Sequence, residues 1–360
     1  MTVFTILLTA ASGPLVPQAI RFLKDSKRHT VRVIAVDMSP RGAALQFADH
    51  FLKVPAGGDP GYVDAMAAIV EEHGVDLVVP WSDEEALALS EAEETITRRG
   101  AALACAPVDL LRAMSNKNET YDRLSKLGLP IARWVEATEP ADIESAVRTL
   151  VSETGGAAVK PARSRGGRDI FVVRDDISGA RSVNEGRETH LDLDTFLKAH
   201  LDIAAKLAPV IVMERLFEPV YDIDVLSWKG EALRVVPRRR HNPGGMPFTG
   251  NDIVPDPELI DLGQRTAAAI RLSWLYDFDV MTDRAGKPAV IEINPRPSGS
   301  MPVSIAAGVP ILDDLISLAK GEILPEIEPL RALTVLPYQG LAVAGAQSPA
   351  QSSEFRGLEI

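Results

Sequence analysis

Cysteine is almost missing from this chain. Cys105 is the only one in 360 residues, which excludes an intrachain disulfide and a thiolate-bound metal cluster. Its surroundings, Ala-Leu-Ala-Cys-Ala-Pro, are apolar, so it reads as packing and not as a nucleophile. No apolar run approaches the ~18 residues of a membrane-spanning helix. Thr2 to Ala11 is followed by Ser-Gly-Pro instead of a cleavage site, so neither export nor a membrane span is expected, and a cytoplasmic enzyme is. An excess of positive charge is also missing: 38 Lys and Arg face 50 Asp and Glu, a net charge of -12. Nucleic acid is therefore not expected as the main partner, because backbone phosphates need a basic face. There is no G-x-x-x-x-G-K-[ST] loop, no G-x-S-x-G elbow, and no histidine pair at metal-ligand spacing among the six histidines.

What is present fits a globular protein of two or three subdomains, with 46% apolar and 24% charged residues. From Val3 to about Ala113 strands and helices alternate: apolar runs at Val3–Leu8, Val31–Val36 and Val75–Pro80 with helical spacing between them. That is a βαβ series and a parallel sheet. A dinucleotide site with Asp37 as its ribose acid is disfavoured, because the first turn, Thr9 to Pro14, has one glycine where close pyrophosphate approach needs three.

Two segments late in the chain alternate apolar and polar residues with period two: Asp277–Met281 and Ala289–Arg296. Turn chemistry at Asp283–Gly286 joins them into a hairpin. With its tip between Ala285 and Gly286, Asp279 falls directly across from Glu292, and Asn294 shares their face. Phe278, Val280, Ile291 and Ile293 fall on the opposite, apolar face. Opposed like charges are destabilising, so a cation is expected between them, and an all-oxygen set suits Mg²⁺ or Mn²⁺.

A second constellation lies mid-chain. The short strand Ala157–Pro161 carries Lys160, and the loop after it holds Arg163, Arg165 and Arg168 around a Gly-Gly pair. Backbone N–H groups of such a loop, with those cations, suit a polyanion. Val210–Leu216 reads as a buried strand ending in Glu214, followed by another strand from Phe217 to Leu226; a short polar link of this kind can offer backbone groups to a purine edge.

In order, Ser115-Asn-Lys-Asn-Glu-Thr-Tyr-Asp-Arg-Leu, Val159-Lys-Pro with its Gly-Gly loop, Met213-Glu-Arg-Leu, Tyr221-Asp-Ile-Asp-Val, Val236-Pro-Arg-Arg-Arg and Ile291-Glu-Ile-Asn-Pro-Arg296 resemble the ATP-grasp superfamily. The branch they look most like is that of the carbamoyl phosphate synthase large chain, over about Met1 to Val335. The fold implied is α/β: a Rossmann-like parallel-sheet pre-domain (1–113), then a two-subdomain α+β ATP-grasp fold (small lid subdomain 114–212, catalytic subdomain 213–335) and a tail (336–360). The resemblance implies that Lys117 and Lys160 contact the α- and β-phosphates of ATP. Ser164, Gly166, Gly167 and Arg168 would belong to a mobile lid over the triphosphate. Glu214 and Leu216 would hold the adenine edge, with Glu218 as a ribose ligand. The chain departs from the family here, since Arg215 replaces a common second acid and Pro219 a common glycine; Tyr221 reads as packing. Asp279, Glu292 and Asn294 would hold two ions, Asp279 being shorter than the usual Glu or Gln. Arg296 would stabilise the transferring phosphoryl group or the oxyanion that follows. Arg238 and Arg240, turned inward while Arg239 points out, would meet the γ-phosphate or an acidic substrate.

The implied activity is ligation of a small carboxylic acid to an amine or ammonia through an acylphosphate, with release of ADP and phosphate. Two alternatives stay open: a phosphotransferase acting on a carboxylate, carbamate or amide without ligation, and a nucleotide-binding subunit without turnover. The pre-domain and Asn242–Asn251 are expected to line the acceptor pocket, and a homodimer is common among relatives. The tail from about Val343 has no apolar periodicity and reads as mobile.

Overall fold

The continuous apolar runs at the start of the chain become strands covered on both faces, as a parallel sheet requires. In the computed structural model, which describes residues 2–163, 169–183, 187–243 and 248–338, the first sheet holds β1 (Val3–Leu8), β2 (Thr30–Asp37), β3 (His50–Lys53), β4 (Leu77–Val79) and β5 (Ala102–Leu103). All are parallel, in the order β3-β2-β1-β4-β5. Ile6, Leu8 and Val33 pack on one face, and Leu7, Ile34 and Val36 on the other. At the end of β2, Asp37 accepts the N–H groups of Ser12 and Ser39, each at 2.8 Å, and so fastens the first turn. This is the expected Rossmann-like start.

The middle sheet comprises β6 (Trp134–Ala137), β7 (Gly156–Pro161), β8 (Ile170–Arg174), β9 (Ala180–Val183), β10 (Glu188–Leu191) and β11 (Val210–Glu214), in the order β6-β11-β7-β8-β10-β9. It has a core of its own, built from Ile143, Val147 and Leu150 of the helix Pro140–Thr154 against Val159, Val173 and Val212.

The third sheet is antiparallel throughout: β12 (Phe217–Trp228), β13 (Glu231–Arg240), β14 (Asn251–Ile253), β15 (Trp274–Thr282), β16 (Pro288–Asn294) and β17 (Leu333–Val335), ordered β16-β15-β12-β13-β14-β17. Its outer face, with Ile223, Val225, Phe278 and Val280, packs on Leu111, Leu124, Leu259 and Leu262 from three helices. The helix Pro257–Ile270 lies close because Gly263 lacks a Cβ, which would sit 2.6 Å from Val235 Cγ1. Its inner face is divided. Leu226, Val236, Ile253 and Leu275 join the core of the first sheet together with Met301, Ile311 and Leu315, while the remainder is acidic.

The helices Val108–Met114 and Lys117–Lys126 pack on the third sheet. Strand β11 runs to Glu214. The tail beyond 338 lies outside the described residues. No helix among the described residues is long and apolar enough to cross a membrane.

The hairpin of β15 and β16 pairs Asp277 with Asn294, Phe278 with Ile293 and Asp279 with Glu292, as read from the sequence. Beyond Asp279 the register shifts, and Val280 opposes Val290. The turn is Arg284-Ala285-Gly286, closed by Gly286 N to Asp283 O at 3.0 Å and Asp283 N to Lys287 O at 2.8 Å, with Gly286 in the left-handed region at φ 80°. The tip is therefore Ala285, and a bulge at Ile291 restores the acid pairing. Ile291 consequently leaves the Phe278 face, where it was expected, and Val290 takes its place.

Candidate active site

Alternation along β12, β13, β15 and β16 puts the acids on one face, and the strand order aligns them into two rows across the sheet. Arg238, Asp222, Asp279 and Glu292 form one, and Val236, Asp224, Asp277 and Asn294 the next. Five carboxylates thus share a small area with Arg238 and, one row further along β13, Arg240. Carboxylate oxygens of Asp222, Asp277 and Asp279 all lie within 4.8 Å of one another.

Burial and charge sort these groups. Arg238 is fully buried and donates to Asp224 Oδ1 at 3.0 Å, Ser298 Oγ at 3.0 Å and Ser300 Oγ at 2.8 Å. Burial works against its charge, but Asp224, Asp222 and Asp277 outweigh it and hold the guanidinium protonated. Arg238 turns inward as expected and is fully buried against the acids, outside the residues that line the cavity. Arg240 lines the cavity and bridges Asp222 and Asp279, donating Nη2 to Asp279 Oδ1 at 2.8 Å. Asp222 is held below the usual carboxylate range because Arg238 and Arg240 outweigh the effect of burial. Asp277 goes the other way: burial, then Asp222, Asp279 and Asp224, push it well up. Burial, opposed by Arg240 and reinforced by Asp222 and Glu292, raises Asp279 to about 6.

The acid row is the floor of a cavity of ≈ 530 Å³ that also admits Lys117, Lys160, Asn294 and Arg296. Lys117 begins the helix Lys117–Lys126, capped by Asn116, and its Nζ lies 4.0 Å from Glu292 Oε1. Lys160 is the next-to-last residue of β7; burial and then Lys117 lower its pKa, against Glu292, Glu188 and Asp279. Asn294 donates to Asp277 Oδ2 at 3.1 Å and accepts from Arg296 Nη2 at 3.2 Å. A second cavity of ≈ 450 Å³ adjoins the first, sharing Lys160, Met213, Met281 and Ile291 as walls. It is largely apolar and is edged by Glu214, Leu216 and Glu218. Glu214 is fixed there by its N–H to Arg133 O at 2.9 Å and by accepting Arg133 N–H at 3.0 Å.

Of the residues named from sequence, the structure brings Lys117, Lys160, Glu214, Leu216, Glu218, Asp279, Glu292, Asn294, Arg240 and Arg296 onto one continuous cleft. Ser164, Gly166, Gly167 and Arg168 lie outside the described residues. The acid triad differs from the expected metal set: Asp222 and Asp277 join Asp279, while Glu292 stands further out beside Lys117. Asp277 shares the parity of Asp279 and could have been found by it. Asp222 could not, since no local pattern says that β12 lies next to β15.

A hard divalent cation fits this triad. The donors are all oxygen, and Asp277 Oδ1 is buried with no hydrogen-bond partner among the described residues.

The three-sheet architecture and the cleft define an ATP-grasp fold. One family model, described as "ATP-grasp in the biosynthetic pathway with Ter operon", matches residues 206–340, and another, "PylC-like, N-terminal domain", matches residues 6–104. Biotin carboxylase from Pseudomonas aeruginosa is 25% identical over 329 residues, covering 84% of this chain and 68% of its own. Among solved structures, N5-carboxyaminoimidazole synthetase from Staphylococcus aureus aligns with a TM-score of 0.68 at 15% identity, over 93% of this chain and 83% of that one. L-amino acid ligase from Bacillus licheniformis aligns with a TM-score of 0.64 at 16% identity, over 94% and 81%. Residues 206–340 thus match an ATP-grasp family model, and the likeness to the solved structures extends the same fold over most of the chain.

Proposed function

We propose that the protein is an ATP-dependent ligase joining a small carboxylic acid to an amine or ammonia through an acylphosphate. The observation that carries this reading is the acid triad of Asp222, Asp277 and Asp279 facing Lys117 and Lys160 in a cavity that opens into an apolar one. The apolar compartment suits a purine, with Glu214 and Leu216 at its edge and Glu218 toward the ribose. Lys117 and Lys160 then meet the α- and β-phosphates. Asp279 and Asp277, with Asp222, Glu292 and Asn294, would hold one or two ions, Mg²⁺ or Mn²⁺, whose chemistry is to disperse charge on the β- and γ-phosphate oxygens.

A carboxylate does not condense with an amine near neutral pH, because oxide would have to leave. Attack of a carboxylate oxygen on the γ-phosphorus breaks the bond to the β-phosphate and releases ADP. The amine nitrogen next attacks the acyl carbon, the carbon–phosphate oxygen bond breaks, phosphate leaves, and the spare amine proton passes to solvent. The protein supplies position and charge: Arg240 and Arg296 face the developing anions, and no side-chain nucleophile is required. The test is ADP release from ATP and Mg²⁺ with panels of acids and amines. Release that needs both co-substrates supports the ligase, release with the acid alone makes the protein a phosphotransferase, and absence of release with every pair sinks the reading.

A further inference from the structure

We infer that the amine has a seat of its own at the end of the acid row away from the lysines, where the side-chain oxygen of Asn251 accepts an N–H of ammonia or of a primary amine. The inference rests on the ligase reading and places its second co-substrate. Asn251 opens β14, and its backbone is paired on both sides, with Arg240 of β13 and Val335 of β17. Gly250 before it is at φ 123°, and a Cβ there would sit 2.8 Å from Val335 O, so β17 closes tightly over this turn. Asn251 is part of the cavity lining and is 1% exposed. Its position is thus fixed before any ligand arrives.

Asp222 orients the amide. One of its carboxylate oxygens, Oδ1, accepts from Arg240 Nε at 2.8 Å, and the other, Oδ2, lies 3.5 Å from Arg238 Nη1. A carboxylate flanked by two guanidinium groups only accepts, so Asn251 turns its NH₂ toward it, and Nδ2 donates to Asp222 Oδ2 at 3.3 Å. The amide oxygen is thereby directed away from Asp222, which suits a divalent cation on the triad less well than a ligand beyond it. Asn251 Oδ1 is buried and has no hydrogen-bond partner among the described residues. Such an acceptor is unfavourable by itself and suits a ligand that brings a donor.

Strand order decides which reactant brings it. Lys117 Nζ lies 4.0 Å from Glu292 Oε1 on the edge strand β16, with Lys160 close by, so phosphates would enter the acid row from that edge. Asn251 meets the row at Asp222, from the opposite side of β12 and β13. Phosphate and carboxylate oxygens only accept; the reacting group that brings N–H is the amine. Accepting one N–H leaves the nitrogen lone pair free to attack the acyl carbon. The C–N bond forms, the C–O bond to phosphate breaks, phosphate leaves with that electron pair, and the spare proton passes to solvent.

The test measures ADP release at saturating ATP, Mg²⁺ and acid while ammonia, methylamine or glycine is varied as the amine, for the wild type, Asn251→Leu and Asn251→Asp. Asn251→Leu removes donor and acceptor in nearly the same volume and should raise the KM for the amine about tenfold, the scale of one lost hydrogen bond, with the KM for ATP and for the acid within about twofold. Asn251→Asp loses the donor to Asp222 but keeps an acceptor, and should hold the KM for the amine within about threefold of the wild type. An unchanged KM for the amine in Asn251→Leu, or an equal rise in both variants, would mean that Asn251 serves only to orient Asp222; either result overturns the amine seat and leaves the ligase standing. The wild type gives a second arm should the variants fold poorly. With Mg²⁺, a non-hydrolysable ATP analogue and the acid that supports ADP release, methylammonium should raise the melting temperature, and tetramethylammonium, which has no N–H, should not. Equal shifts, or none from either, overturn the inference. No ADP from any acid and amine overturns both it and the ligase.

Discussion

The two ends of the cleft are built by opposite means. The apolar end is assembled from side chains that pack the seam between the middle and third sheets: Met213, Leu216, Met281 and Ile291. Filling it with a ligand extends a hydrophobic cluster that already exists. The charged end gathers five acids on one sheet face and is held by a fully buried arginine underneath. It is a store of repulsion that a polyvalent cation would relieve. Affinity is thus expected to reside at the first end and chemistry at the second, and substitutions should separate the two.

Arg238→Met should have the largest effect. It removes the cation buried among Asp222, Asp224 and Asp277, and breaking such a network costs about 3–5 kcal/mol. Denaturant unfolding measures it; a loss below about 1 kcal/mol would mean that the acids do not depend on this residue.

Asp279→Asn should lower ADP release by roughly 10²–10³-fold, the scale of removing one charge-stabilising group from an active site. Stability of the metal-free variant should be unchanged or higher, because a repelling charge is gone. A fall in melting temperature with activity preserved would make Asp279 structural.

Ile291→Ala tests the apolar end. Loss of a few methylenes should weaken ATP binding by about 1–2 kcal/mol, while kcat with saturating ATP stays near the wild-type value. A drop in kcat with unchanged ATP affinity would contradict the separation of the two ends.

The last effect concerns pH. Asp279 is raised to about 6 by burial, against about 3.9 when unfolded, so protonation stabilises the fold. This contribution is fully present below about pH 4 and disappears as pH rises through 6. Measured as wild type against Asp279→Asn without metal, the variant should gain about 2 kcal/mol between pH 4 and 7. Mg²⁺ should raise the wild-type melting temperature more at pH 7.5 than at pH 5, since it favours the ionised acids. A difference independent of pH would show that Asp279 is not proton-linked to folding.

How much of this could be read from residues alone depends on sequence distance. The first sheet's βαβ order follows from apolar runs and short connections. The pairing of Asp279 with Glu292 follows from period two and a glycine turn, because a hairpin is a local structure whose register its own residues fix. The same reading missed the bulge at Ile291, since nothing in the residue types distinguishes a three-residue turn with a bulge from a regular two-residue one. It took Arg238 and Arg240 as equivalent because they share a parity, while burial separated them. Ser298, Ser300 and Ser304, which complete the Arg238–Asp224 network, carry no spacing signal at all.

The sequence by itself determined the class of fold and the local pairing of Asp279 with Glu292. The tertiary structure alone decided which acids meet. Asp222 lies beside Asp279 because β12 inserts between β13 and β15, and Asp83 reaches Arg296 because the first sheet shares a core with the helices Pro302–Ala306 and Ile311–Ala319. The physical reason is that strand order and domain packing are set by burial summed over the whole chain, and no window of neighbouring residues contains that sum.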